Sequence, residues 1–393
     1  MTSIKSLLRL ALVAVGLLFS TAAFALCGTG SGTCYWVGGG SSTNWSATSN
    51  TNWSLVSGGA NNAGPPVTGD TVVFDANSGT GTSNISASTS INQFLGSTSS
   101  AITLTTGGSL TLTVTGTVFT LGSGIAYTAL NANRAITFNP GVGNTVVITT
   151  NGQTLGNTTC SSGTCTLATN LAGLSGATLT VSSGAVLDAA TDNPNVTFGF
   201  VVANTGTRTF NCGTGTWTLT TASGTSWDFG TVNTGLTASC GSATLDFTTT
   251  ALTPVTFNTG AQTFGTVNVN VGSSAYWFNI VPGLTATALN ATAPFTLALT
   301  ELDTYAITNA FTWTGGSSSA QSAVICRNCA STTSVATISS AATNTATWLA
   351  IQGVTFSGGG SFTATKSFNL GGNTGITITS PSGGSSATGK IFP

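Results

Sequence analysis

From about residue 70 onward the chain repeats one kind of phrase: DTVVFDA, SINQFLG, AITLTT, SLTLTVTGTVFTL, AITFN, TVVITT, ATLTVSS, TRTFN, TWTLTT, ATLDFTT and PVTFN. Each is a short run of β-branched and aromatic residues, often alternating with Thr or Ser, and closed by Gly, Asn or Ser. Alternation with a period of two marks a half-buried strand, and the closing residues supply turns. No stretch beyond the N-terminal leader sustains a 3.6-residue period with helix-favouring residues, so helices are confined to short caps. The chain is expected to be all-β.

The intervals between phrases choose among all-β architectures. Propeller blades need about 40 residues and recurring signature positions, which are absent. Immunoglobulin-like modules would recur at about 100 residues with core landmarks. The phrases here return at roughly 20 to 30 residues with Gly, Asn and Ser corners, the pattern of coils in a parallel β-helix with loops of variable length. A single-stranded β-solenoid follows. Coils of that size give at most about 13 to 18 turns, rising about 4.8 Å each.

Composition agrees with stacked coils. The chain has seven basic and eight acidic residues among 393, and no histidine. Like charges stacked at strand spacing repel, so columns of equivalent residues tolerate few of them. Twenty Phe and eight Trp provide the apolar area that a disordered Gly/Ser-rich chain lacks. Scattered Lys and Arg and a net charge of −1 exclude a nucleic-acid partner, which needs clustered basic residues.

The N-terminus reads as a secretory signal over residues 1–25. Lys5 and Arg9 precede the apolar run Leu10 to Phe19, and Ala23-Phe24-Ala25 places small residues before a cut after Ala25. A membrane anchor would need a longer apolar run, and Leu26 is a poor residue before a lipidated Cys27. The protein is expected to be exported, to the cell surface or the extracellular space with the periplasm as the alternative, and to have no membrane span in the mature chain. The eight cysteines would then be oxidised, and proximity suggests the pairs Cys27 with Cys34, Cys160 with Cys165, Cys212 with Cys240 and Cys326 with Cys329. Cys212 and Cys240 stand at matched places in FNCGTGTWTL and ASCGSATLDF. Neighbouring coils at one strand spacing bring such residues within disulfide reach, so this pair forms a rung between two turns. CRNC at 326 to 329 lacks the histidine, second CxxC or βαβ setting of a zinc or redox site, and reads as a loop closure.

Residues 35 to 76, YWVGGGSSTNWSATSNTNWSLVSGGANNAGPPVTGDTVVFDA, resemble the opening of a broad group of exported bacterial and phage-associated β-helix proteins. In that group paired Trp phrases lead into a Gly-rich segment, a Pro and an Asp-x-Val-x-Phe strand. Trp36, Trp45, Trp53, Pro66, Asp70, Val72 and Phe74 match this layout. NTGTRTFNCGTGTWTLTTASGTSWDF and FNLGGNTGITITSP look like phrases of the same group, and the matches cover about a third of the chain. The resemblance implies a right-handed helix whose first coil is covered by an N-terminal cap over 26–75. The solenoid proper would run over 76–300, with further coils and a closing cap over 301–393. It implies no activity, since most members lack an assigned one. The alternative role for Trp45 and Trp53 is sugar stacking on an exposed surface.

The inventory for chemistry is short. Lyases and hydrolases on β-helices need paired carboxylates or calcium-binding acidic clusters. Asp188 with Asp192, or Glu301 with Asp303, are the candidate pairs, against turn capping as the commoner role of Asp. Absence of histidine excludes Ser-His-Asp and Cys-His machinery. No cofactor or metal is expected. Regular Thr-x-Thr columns, as in TLTVT and TWTLTT, would suit an ice or crystal surface, but the spacing between such phrases drifts. The leading expectation is a non-enzymatic structural or adhesive rod that meets surface glycans or other copies of itself. A polysaccharide-active enzyme is the alternative, and a filament subunit is a further one.

Overall fold

The computed structural model describes residues 26–381, apart from short stretches at 49–50, 98–100, 107, 129–132, 204, 222, 231–233, 249–252, 273–274, 317–321 and 328–334. The expected signal segment, Cys329 and the closing cap beyond residue 381 lie outside the described residues. Among those described there is no helix, and parallel strands stack as a β-solenoid of about 12 turns.

Each coil is a triangle of three short strands. Thr111–Val114, Val118–Leu121 and Ile125–Thr128 form one turn, and Ala135–Phe138, Thr145–Thr149 and Thr154–Leu155 form the next. Strands of the first face run in one ladder of 13, from Thr89–Ile91 to Phe368–Asn369. The period-two alternation decides which side chains enter: Thr111–Val114 and Ala135–Phe138 both bury every second residue. Parallel register then places like upon like. On the first face Ile91, Val114, Phe138, Cys160 and Val181 follow one another inside. On the third face Val196, Trp217, Leu245, Val267 and Leu289 do the same.

The triangle is not constant. Leu236–Thr248 pairs with Arg208–Asn211 at its start and with Thr216–Leu219 at its end, so one strand of 13 residues spans the second and third faces. Thr263–Asn270 and Leu284–Ala291 continue this merged ribbon. A register shift between Cys240 and Thr244 is the remnant of the lost corner. Corners and caps consume more residues than an even division of the chain allows, which leaves fewer turns than the upper range expected.

The N-terminal segment covers the first coil without leaving the ladder. Thr33–Trp36 pairs in parallel with Thr71–Phe74, which pairs with Gln93–Gly96, so cap and solenoid share the second face. Trp53–Ser54 lies antiparallel on Thr33–Trp36 and ends the sheet. Trp36, Trp45, Trp53 and Phe74 are all buried. Trp53 meets Trp36 and Trp45 edge-on at centroid distances of 5.1 and 5.3 Å. The column continues inward through Phe74, Phe94, Phe119 and Phe138. Trp45 Nε1 donates to Ser83 Oγ at 2.8 Å and Trp53 Nε1 to the Trp45 carbonyl at 3.1 Å, so the rings bury no unpaired donor.

Asp70 organises the entry loop. Its Oδ1 accepts the backbone N–H groups of Gly30 and Gly32, each at 2.9 Å. Its Oδ2 accepts those of Gly28 at 2.8 Å and Val67 at 3.0 Å. Gly69 just before it has a φ of +94°, and a Cβ there would stand 2.0 Å from the Gly30 carbonyl oxygen, so only glycine fits. Pro66 and Val72 flank this loop, with Val72 buried opposite Cys34.

Three of the expected cysteine pairs are joined. Cys27 and Cys34 have Cα atoms 4.8 Å apart, and Cys160 and Cys165 bridge a corner at 6.1 Å. Cys212 and Cys240 are joined across adjacent coils at 4.9 Å, next to the registered pair Asn211 and Ser239. Cys326 is buried on the first face opposite Leu299.

Two outcomes test this architecture. Asp70→Ala takes the acceptor from four backbone N–H groups, of which that of Gly32 is fully buried, and is expected to lower stability by about 2 kcal/mol, read from urea unfolding followed by the Trp fluorescence of the cap; an unchanged midpoint would remove Asp70 from this role. Replacing both Cys212 and Cys240 by Ala is expected to cost ~3 to 4 kcal/mol for a loop of this length. Peptide mapping of the unreduced protein should recover that link.

Candidate functional site

The side chains a solenoid offers to a partner are the outward half of each strand. On the third face they form ranks. In the C-terminal coils Thr312, Thr345, Thr363 and Thr377 are consecutive register partners, and Thr314, Thr347 and Thr365 form a second rank two residues along. Strand geometry spaces the threonines about 4.8 Å between coils and about 6.6 Å along a strand. Between them Trp313, Ala346 and Ala364 point inward and are buried, which pins the outward direction of the threonines.

The ranks continue toward the N-terminus in amides. Thr218, Asp246, Asn268 and Asn290 are successive partners, with Thr216, Thr244 and Thr266 in the rank beside them. Asn290 Nδ2 donates to Asn268 Oδ1 at 2.9 Å, and Asn268 Nδ2 donates to Asp246 Oδ1 at 2.5 Å. A bridge between Thr292 and Thr314 joins the amide part to the threonine part. The outcome is one long strip of hydroxyls and amides in which Asp246 is the single charge.

Trp348 borders the strip directly after Thr347. Its ring is partly exposed, its backbone holds a φ of 58°, and Lys366 Nζ lies 5.5 Å from the ring centroid. A bulky residue in left-handed backbone is strained, and such strain persists where the surroundings over-determine it. The cation over one face leaves an amphipathic aromatic edge beside the hydroxyl ranks.

The two carboxylate pairs singled out for catalysis lie at turns. Asp188 accepts from its own turn, from Ala190 N at 2.9 Å and Thr191 Oγ1 at 2.6 Å, while Asp192 is exposed. Glu301 and Asp303 stand either side of Leu302, whose φ is 64°, in the tight turn between two faces. Burial pushes the Asp303 carboxyl up, against hydrogen bonds from Thr300 and Gly283 that favour its charge. The neighbouring Tyr305 phenol accepts Thr300 N at 2.7 Å and donates to the Ile280 carbonyl at 2.9 Å, and burial raises its pKa. These contacts lock a corner. Trp45 and Trp53 are sealed in the cap and offer no ring to a sugar. Cys27, Cys34 and Asp70 lie close together, but both sulfurs are spent in a disulfide and Asp70 is occupied by N–H donors.

A carboxyl whose pKa is raised on folding binds its proton more tightly in the folded chain, so its ionisation costs stability as pH rises above the unfolded value of about 4. Asp303→Asn is therefore expected to match the parent protein near pH 4 and to exceed it at pH 7, by less than about 1 kcal/mol because the group is partly exposed. Thermal unfolding of both proteins across that range checks it, and a gap that closes as pH rises would reverse the sign. No model of a known family, no curated protein and no solved structure matches the chain.

Proposed function

We propose that the protein is a non-enzymatic, extracellular, structural and adhesive solenoid whose third face lies against a neutral, repetitive glycan surface. The observation that carries this reading is the in-register strip of Thr, Asn and Asp on that face, bordered by Trp348. A periodic array of hydroxyls and amides complements a polymer that repeats its own hydroxyls, and a near-absence of charge removes any preference for an ionic partner. An aromatic edge beside polar groups supplies the apolar contact that a sugar ring requires. The non-enzymatic part is supported by the lack of histidine in the chain and by the engagement of Asp188 in its own turn. Disulfide pairs agree with an oxidising, exported setting.

Ice is a second repetitive, hydroxyl-presenting surface, and the two threonine ranks favour it as the alternative occupant.

Depletion of the protein from solution by insoluble cellulose and chitin tests the proposal. The parent protein is expected to be retained by at least one of them. Thr363→Lys, which places a charge in the middle of the rank, and Trp348→Ala are each expected to weaken retention about tenfold with unchanged circular dichroism. Release of soluble sugar would overturn the non-enzymatic reading. Faceted ice growth in a freezing drop, without retention on polysaccharide, would transfer the face to the second reading.

A further inference from the structure

Among the described residues two arginines are buried, Arg134 and Arg208, at 4% and 2% exposure. Arg208 shows how a coil corner accommodates a guanidinium. Its Nε donates to the Ala203 carbonyl at 2.6 Å and its Nη2 to that of Phe229 at 3.1 Å, while its Nη1 reaches the carbonyls of Gly206 and Thr234. Asp228 adds a favourable charge.

Arg134 lacks such partners at two of its three nitrogens. It sits immediately before Ala135–Phe138, inside the corner where the third face gives way to the first, and its Nε and Nη1 have no acceptor. Two more buried hydroxyls lie within reach of its charge, Tyr127 Oη, from the strand Ile125–Thr128, and Thr106 Oγ1, from the end of Ile102–Thr106, and they have no partner beyond each other. Tyr127 and Thr106 come together because these strands are parallel partners, Leu104 opposite Tyr127 and Thr105 opposite Thr128. The Tyr127 backbone N–H is fixed by Gln153 Oε1 at 3.0 Å. Burial pushes the Tyr127 phenol up although Thr106 and Arg134 both favour its anion, so the phenol keeps its proton. The corner therefore holds two guanidinium N–H groups and two hydroxyls, all able to donate.

No carboxylate of the neighbouring coils can answer that charge, because the chain contains no Asp or Glu between Asp75 and Asp188. A buried cation without a counter-charge is costly, and water would satisfy the hydrogen bonds but not the charge.

We propose that this corner is a binding site for a small monovalent anion of the halide class, held by Arg134 Nε and Nη1, Tyr127 Oη and Thr106 Oγ1. The anion supplies from solution the counter-charge that these coils omit, and it ties two successive turns of the solenoid together.

The test uses the protein with sodium chloride exchanged for sodium gluconate at constant ionic strength, gluconate being a far larger anion than a halide. The melting temperature of the parent protein is expected to climb with the logarithm of chloride concentration. Arg134→Met is expected to abolish that dependence. Tyr127→Phe, a milder change that keeps the ring, is expected to shift the chloride range about tenfold upward. Crystals soaked in bromide should show an anomalous peak within hydrogen-bond distance of Arg134. Equal melting temperatures of the parent protein in chloride and gluconate, or a bromide map with no peak in the corner, would overturn the proposal. Should Arg134→Met fail to fold, Tyr127→Phe and the bromide map decide it.

Discussion

Everything in this molecule depends on the lateral hydrogen bonding of parallel strands at one spacing. Each coil alone is a triangle of short strands with two open edges and too little apolar surface to stand by itself; stacked, its edges are satisfied by the coils above and below. The same spacing that pairs the backbones also superposes the side chains. Phe138 therefore lies between Val114 and Cys160, and Trp217 between Val196 and Leu245. Superposition rewards apolar and neutral polar residues and penalises charge, so one geometric fact accounts for the core, the polar exterior and the scarcity of ionic groups.

The first coil is where that arrangement must end, and the N-terminal segment solves this with two devices. Antiparallel Trp53–Ser54 turns the ladder back on itself, and a column of Trp36, Trp45, Trp53 and Phe74 fills the open mouth. Asp70 holds the loop that makes this possible, its carboxylate standing in for the next strand's acceptors toward Gly28, Gly30, Gly32 and Val67. A buried carboxylate here is an element of backbone architecture.

Much of this was legible in the sequence, for identifiable reasons. Period-two alternation is written in every phrase, so strand type and inward residues could be read directly. The Cys212–Cys240 rung was visible because its two phrases share a register on both sides of the cysteine, and no inserted corner separates cysteine from strand. The ranks of the third face were not visible, although TWT, TAT, TAT and TIT are all present in the chain. Their first threonines lie 33, 18 and 14 residues apart at Thr312, Thr345, Thr363 and Thr377, because corners of different length absorb the difference. Spacing along the chain therefore carries no information about spacing on the face. The merging of two faces in Leu236–Thr248 was hidden for a related reason: GSA between its halves reads as a turn, yet it is passed as an irregularity within one strand. The unanswered charge of Arg134 becomes apparent only when its neighbours are known, since a lone Arg in a neutral stretch looks solvent-exposed.

The disulfide rung occupies a particular place along the rod. It joins a triangular coil to the first coil in which two faces run as one ribbon, at the very position where the corner disappears. Fraying that starts at the far C-terminal end and peels turn after turn would meet a covalent barrier there. The rod is thereby divided into a protected proximal length, containing the tryptophan plug and the bridges Cys27–Cys34 and Cys160–Cys165, and a distal length beyond the rung. Limited proteolysis would whittle the distal length first, and the stump left behind would keep the tryptophan plug and the three bridges Cys27–Cys34, Cys160–Cys165 and Cys212–Cys240.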